Sequence, residues 1–278
     1  MFAGKTNRTC VFSRTKAFTG FCALIIALGW IVESYAQSTA NLPGTPIRQL
    51  SRIPFGWANR TGFLSLPDTT TYQSVAIQQF NFLTPENDMK FDTVEPQQNS
   101  FNFAPGDQHV AFAQANGMTV KGHNLVWHQQ VPSWVTNLPN TAAARGAAMD
   151  NHIAMTVGHW KGKIALWDVV NEPFNGDGTL NTSSPWAAVG AQCTTAGGTC
   201  YIARALQDAK AADPNVLVGI NDFGIEGVNS KSTALLNMVT LFKQQGIPID
   251  YVGFETHLVS SGGKVWIRHC IHTRFTLN

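Results

Sequence analysis

Charge is scarce in this chain, and one sign of it runs out early. Only 13% of the 278 residues are Asp, Glu, Lys or Arg, and no Asp or Glu follows Glu255. Beyond the first 36 residues no apolar run approaches the roughly 20 residues that a bilayer span needs, which excludes a multi-spanning membrane protein. No glycine-rich dinucleotide fingerprint follows the first predicted strand, which disfavours a nucleotide-binding doubly wound sheet. His123 and His128 lack the spacing of a helical zinc pair, which gives a metal site little weight. Cysteine is sparse as well, with five in all.

What is present begins with a leader. Lys5, Arg8, Arg14 and Lys16 precede an apolar stretch over 17–32, and Ser34-Tyr35-Ala36 offers small residues at a cleavage position. That is the layout of a secretory signal peptide over 1–36, with an uncleaved anchor as the alternative. It predicts an extracellular protein that leaves the membrane once the leader is removed. Residues 37–263 hold 12 Lys/Arg and 16 Asp/Glu, a formal charge of −4, which argues against nucleic acid as a partner. Asn59-Arg60-Thr61 and Asn181-Thr182-Ser183 are glycosylation acceptors that fit secretion. Cys193 and Cys200 flank a Thr-Thr-Ala-Gly-Gly-Thr loop and are expected to form a local disulfide, two free thiols being the alternative. Cys10 and Cys22 leave with the leader, and Cys270 has no evident partner.

Strand-like and helix-like stretches alternate. Strands are predicted over 53–58, 81–84, 118–122, 164–170, 216–220 and 251–254. Helices are predicted over 70–80, 104–116, from an Asn140 cap to 160, over 201–212 and over 230–245. Nearly continuous apolar strands with helical crossovers imply a parallel sheet covered on both faces. Polar residues after nearly every strand favour a (β/α) barrel, because catalytic groups in that fold gather at the C-terminal ends of the strands.

Those strand ends carry the chemistry. Asp168-Val169-Val170-Asn171-Glu172-Pro173 sets a carboxylic acid and an amide at the end of the fourth strand; a structural Glu is the plain alternative. Glu86, Asn87 and Lys90 crowd the loop after the second strand, either to hold sugar hydroxyls or to cap the loop with an internal ion pair. His123 and Trp127 follow the third strand, and an imidazole beside an indole suits a sugar ring. Asn221-Asp222-Phe223-Gly224-Ile225-Glu226 follows the fifth strand. Glu255-Thr256-His257 follows the sixth, with His257 placed to orient a carboxylate.

Five segments, TPENDMKFD (84–92), GHNLVWHQQVP (122–132), WDVVNEP (167–173), INDFGIE (220–226) and GFETHL (253–258), resemble the successive strand-end motifs of glycoside hydrolase family 10. These are secreted endo-β-1,4-xylanases with an eight-fold β/α barrel. The resemblance spans roughly residues 50–260 and implies an α/β (β/α)8 fold of which about six units are present. It implies xylan or xylo-oligosaccharides as partners of a monomer, and no cofactor. Glu172 matches the general acid/base, and Asn171 the residue that binds the sugar 2-hydroxyl. Glu86, Asn87, Lys90, His123 and Trp127 match glycone-side substrate-binding positions, and His257 matches the histidine that hydrogen-bonds the nucleophile. Glu255 falls at a substrate-binding position where the family usually has Gln.

Retaining glycoside hydrolysis needs a second carboxylate about 5–5.5 Å from the first. The family supplies it from a Glu at the end of a seventh strand. Here the family pattern ceases after Ser260-Ser261-Gly262-Gly263, and residues 264–278 read KVWIRHCIHTRFTLN. The expected organisation is therefore a leader over 1–36, a partial barrel over 37–263 and an unrelated tail over 264–278. The expectation is a xylanase by family that lacks its nucleophile and is inactive as written. A non-catalytic xylan-binding remnant and an unstable product are the alternatives.

Overall fold

The computed structural model describes residues 44–65, 69–190 and 198–257. The expected leader, Cys193, Cys270 and the 264–278 tail lie outside the described residues. Six strands form one sheet in strict chain order: β1 (Gly56–Asn59), β2 (Phe82–Pro85), β3 (Thr119–Val126), β4 (Leu166–Asn171), β5 (Leu217–Asp222) and β6 (Tyr251–Phe254). All five pairings are parallel. The crossovers carry helices α1 (Thr69–Gln79), α2 (Ala104–Ala115), α3 (Ala142–His159), α4 (Cys200–Ala212) and α5 (Ser230–Gln244). A doubly wound sheet reverses its strand order at a switch point. This sheet never does; it curls into a half-barrel of six strands joined by five helical crossovers, in the alternation that the sequence predicts.

The helix signals act mostly as read. Gly117 (φ 63°) and Gly246 (φ 69°) close α2 and α5 in the left-handed conformation that a helix C-terminus favours. Asn229 and Ser232 exchange reciprocal hydrogen bonds of 2.8 and 2.9 Å at the start of α5. The expected Asn140 cap is corrected to Thr141, whose hydroxyl accepts from the Ala144 amide at 3.2 Å. Thr141 is the last extended residue before α3 and so stands three residues from that free amide. Strand β3 runs four residues beyond its predicted end. Within this extension His123 Nδ1 meets the buried Asp168 carboxylate of β4 at 2.8 Å.

Packing fixes how closely β3 and β4 approach. Gly122 pairs with Trp167 in register, and a Cβ on Gly122 would fall 2.1 Å from the Trp167 ring. Only glycine fits there. Trp167 and Trp160 lie with ring centroids 6.0 Å apart, and both are fully buried, so they lock α3 to the sheet. The sheet under α3 is thus closed off by these two rings. The β6 side is different: Leu236, Val228 and Phe254 are exposed along an open groove of about 420 Å³ between α5 and β6. Among the described residues no helix is long and apolar enough to cross a membrane.

Candidate active site

The C-terminal ends of β2 to β6 open on one side of the sheet, and the expected residues converge there. Glu172 follows the last residue of β4 and takes a left-handed backbone (φ 51°) just before Pro173. A non-glycine residue in that region stores roughly 1 kcal/mol or more, and such strain gathers at functional sites. The neighbouring strand holds the turn: the Glu172 amide donates to the Asn221 carbonyl at 2.8 Å. The carboxylate is aimed from β3, where Trp127 Nε1 donates to Glu172 Oε2 at 2.9 Å. Trp127 is itself held by Trp186, whose Nε1 donates to the Trp127 carbonyl at 2.8 Å.

Asn221, at the end of β5, is the pivot of the mouth. It lies between Asn171 on β4 and Gly253 on β6 in register. Its side-chain amide donates to Asn171 Oδ1 and to Glu255 Oε1, each at 2.8 Å. Glu255 Oε2 faces His257 Nε2 at 2.9 Å. Burial raises the pKa of Glu255, and the Glu172 charge adds to the rise against the lowering influence of His257.

Lys90 brings a cation to the rim from the β2 loop. Its Nζ donates to Asn87 Oδ1 at 2.9 Å and stands 4.8 Å from the Trp127 ring centroid, a cation–π contact. Burial pulls its pKa down, while Glu86, Asp92, Glu172 and Glu255 pull it up. Glu86 is exposed at the edge of the same loop. Asp88 turns away: it accepts from the Thr61 amide at 2.8 Å and meets His109 at 2.7 Å, which ties the loop to the segment after β1.

Beneath the mouth sits a cluster that the sequence left unassigned. Asp168 is fully buried, and its carboxylate meets Lys121 Nζ at 2.7 Å, His123 Nδ1 at 2.8 Å and the Tyr251 hydroxyl at 2.9 Å. Burial would raise the Asp168 pKa, but the bond from His123 and the charge of Lys121 outweigh it and hold the group below the usual carboxylate range. Beside β5, Asp222 is also buried and pairs with Lys231 at 2.6 Å. There burial wins, and the pKa is pushed up to about 6.

The family model for glycosyl hydrolase family 10 matches residues 49–273. The chain belongs to glycosyl hydrolase family 10. It is 37% identical over 239 residues to endo-1,4-beta-xylanase B of Thermotoga neapolitana, covering 86% of this chain and 66% of that protein. It is 41% identical over 226 residues to endo-1,4-beta-xylanase A of Phanerodontia chrysosporium, covering 81% of this chain and 52% of that one. Among solved structures, xylanase 10B from Thermotoga petrophila RKU-1 in complex with xylobiose superposes with a TM-score of 0.72 at 39% identity, covering 78% of this chain and 65% of that chain. The chain therefore spans between half and two thirds of the length of these relatives.

In this member of family 10, Glu172, Asn171, Trp127, Glu255 and His257 form one connected group, with Lys90 and Asn87 alongside. His123 sits one layer lower, with one ring nitrogen committed to Asp168. Cys200 is disulfide-bonded, while its expected partner Cys193 lies outside the described residues. Sequence reasoning missed the roles of Asn221, Asp168, Lys121, Tyr251 and Trp186. The signal for Asn221 and Asp168 was available, because each is a polar residue set within or ending an apolar strand. Lys121 and Tyr251 become meaningful only once the curl of the sheet brings β6 over β3.

Proposed function

We propose that this mouth binds xylan or xylo-oligosaccharides and that Glu172 is the general acid/base of a retaining endo-1,4-β-xylanase. The observation that carries the reading is the Glu172 turn, a strained carboxyl group at a strand end that is aimed by the Trp127 indole N–H. Cleavage of a xylosidic bond leaves a poor alkoxide, so an acid must protonate the leaving oxygen as the bond breaks. Asn171 is placed to hold a sugar 2-hydroxyl next to that acid. Lys90, Asn87 and Glu86 supply donors and acceptors for the neighbouring hydroxyls.

We further infer that the 278 residues bind without efficient turnover. The attacking carboxylate of a retaining pair stands about 5–5.5 Å from the acid, across the scissile bond. Glu255, the carboxylate at the end of the sixth strand, is tied to Asn221 and His257 instead. The relatives support the substrate class. The basic, apolar leader supports secretion, after which the protein acts as a monomer.

The test pairs calorimetry with a reducing-sugar assay, using xylohexaose and purified protein. Heat of binding without sugar release supports both inferences. Release at ordinary enzyme rates, abolished in Glu172→Gln, keeps the acid/base assignment and overturns the loss of turnover. No heat at millimolar ligand overturns the xylan reading.

A further inference from the structure

The two Asn-X-Ser/Thr triplets of the described residues meet opposite surroundings in the folded chain. Asn59 is the last residue of β1 and is fully buried. Its Oδ1 accepts from the Tyr72 hydroxyl at 2.7 Å, and its Nδ2 donates to His109 Nδ1 at 3.2 Å. Its backbone carbonyl accepts from the Glu86 amide at 2.8 Å. Thr61, the third residue of that triplet, is committed as well, its hydroxyl donating to Asp88 Oδ2 at 2.6 Å. This triplet therefore fastens β1 to the loop that carries Glu86, Asn87 and Lys90.

Asn181 is placed in the reverse way. It lies on the loop that leaves the Glu172 turn, where its backbone amide donates to the Pro173 carbonyl at 2.9 Å. Asn181 is partly exposed, and Thr182 and Ser183 are exposed. The Asn181 Oδ1 accepts from the Ser183 amide at 3.1 Å and from the Ser183 hydroxyl at 2.6 Å. Its Nδ2 makes no hydrogen bond among the described residues. The nitrogen that would carry a sugar is thus engaged in the first triplet and free in the second.

We propose that Asn181 carries an N-linked oligosaccharide and that Asn59, with the same kind of triplet, carries none in any folded molecule. The inference rests on the reading of the chain as secreted. The donor is an oligosaccharide joined through its C1 to a lipid pyrophosphate of the secretory compartment. The Asn181 Nδ2–C1 bond forms as the C1–O bond breaks; the pyrophosphate leaves with the bonding pair, and Nδ2 gives up one proton to solvent. Transfer acts on the chain as it enters that compartment, before folding, so both triplets are reachable then. Folding does the sorting. A sugar on Asn181 stays in water at the surface, where N-linked glycans belong. A sugar on Asn59 would have to enter a site with no exposed surface beside the His109 contact. Burying its hydroxyls there without partners opposes folding, so a chain modified at Asn59 does not close β1 onto the β2 loop.

The test expresses the full chain in a yeast secretory host. An amidase that converts each sugar-bearing Asn to Asp is applied to the denatured protein, and peptide mass spectrometry reads the conversion in the medium and in the cell fraction. In the medium, Asn181 is expected to be converted and Asn59 not. Ser183→Ala, an exposed substitution that keeps the asparagine, should abolish conversion at Asn181 and leave thermal unfolding of the secreted protein unshifted. Conversion of Asn59 in folded protein from the medium, or a bare Asn181 there, overturns the proposal. Because transfer precedes folding, retained chains should also be converted at Asn181, so poor folding does not hide the site, and retained secretory-compartment chains bare at Asn181 overturn it too. Chain left in the cytosol without sugar overturns the secretion reading and the site with it; secreted chain bare at Asn181 overturns the site alone.

Discussion

On the floor of the half-barrel a buried carboxylate meets a lysine, a histidine and a tyrosine hydroxyl; at the mouth, one strand end away, a carboxylate meets an amide and an exposed histidine. Asp168 has its negative charge matched by Lys121, with donors on both oxygens, and its pKa is held down. Glu255 has one amide and an exposed histidine against the charge of Glu172, and its pKa is pushed up. Both groups sit on the same sheet, and Tyr251 and Glu255 even flank the same short strand. The floor is arranged so that ionisation supports the fold. The mouth leaves the Glu255 carboxylate less compensated, so that ionisation there works against burial.

The sharpest way to break this comparison is to delete the floor. Asp168→Ala leaves Lys121 and the Tyr251 hydroxyl without their acceptor inside the sheet. Breaking a buried pair by removing one partner costs about 3–5 kcal/mol, so urea unfolding should show a loss of that size. Glu255→Ala should change stability by no more than about 1 kcal/mol, because the group it relieves is a like charge. Equal losses for the two variants would mean that floor and mouth are built alike.

The second largest effect is in the pH dependence, where the two kinds of carboxylate have opposite signs. Asp222 has a folded pKa of about 6, above that of an unfolded Asp at roughly 3.9. The native state therefore binds this proton more tightly. The resulting stability is fully present below about pH 3.9 and is lost as pH rises through about 6. Asp168 behaves in reverse: its lowered pKa stabilises the fold above the unfolded value, and that stability is lost as the pH falls. Urea unfolding at pH 4, 5, 6 and 7 should show Asp222→Asn losing less stability over this range than the wild type, by about 1–3 kcal/mol. An unchanged slope would show that Lys231 neutralises Asp222 completely.

The third effect concerns backbone strain at the mouth. Glu172→Gly removes the cost of the left-handed turn and the charge facing Glu255, at the loss of one hydrogen bond from Trp127. Glycine adopts this region freely. A gain of about 1 kcal/mol in thermal unfolding is expected, with loss of the proposed acid function. A substantial loss of stability would mean that the Trp127 contact holds the mouth together.

The same contrast explains what the sequence disclosed. Strand order and crossover helices were readable because β4 and β5 are apolar on both faces, and because Gly117, Gly246 and Asp213-Pro214 mark where helices stop. The motif residues of the mouth were readable because catalytic groups must stand at strand ends, a position that the alternation locates. The floor was not readable. Lys121 and Tyr251 are 130 positions apart in the chain, and only the curl of the sheet brings them to one carboxylate. Nor could a spacing rule show that Glu255 turns toward Asn221 instead of outward. That depends on Asn221, whose amide draws Asn171 and Glu255 inward together. The Asn140 cap failed by one residue because either residue could serve, and the extended backbone of Thr141 decides between them.

The smallest expected effect, that of Leu236→Gln, lies on the β6 flank and is read against its neighbour on the same helix. Leu235 is buried beneath α5, whereas Leu236 is 50% exposed and lines the open groove with Val228 and Phe254. Leu235→Gln puts an amide among apolar side chains and should cost several kcal/mol, in the manner of a buried polar group without a partner. Leu236→Gln trades an exposed apolar side chain for a polar one, and the change should stay within about 0.5 kcal/mol. Denaturant unfolding of the two variants at one protein concentration measures the difference. A loss of about 2 kcal/mol for Leu236→Gln requires something to cover the groove in solution, since hydrophobic stabilisation scales with the apolar area removed from water. The flank would then be a third environment, apolar and closed by contacts that α5 and β6 do not make with each other.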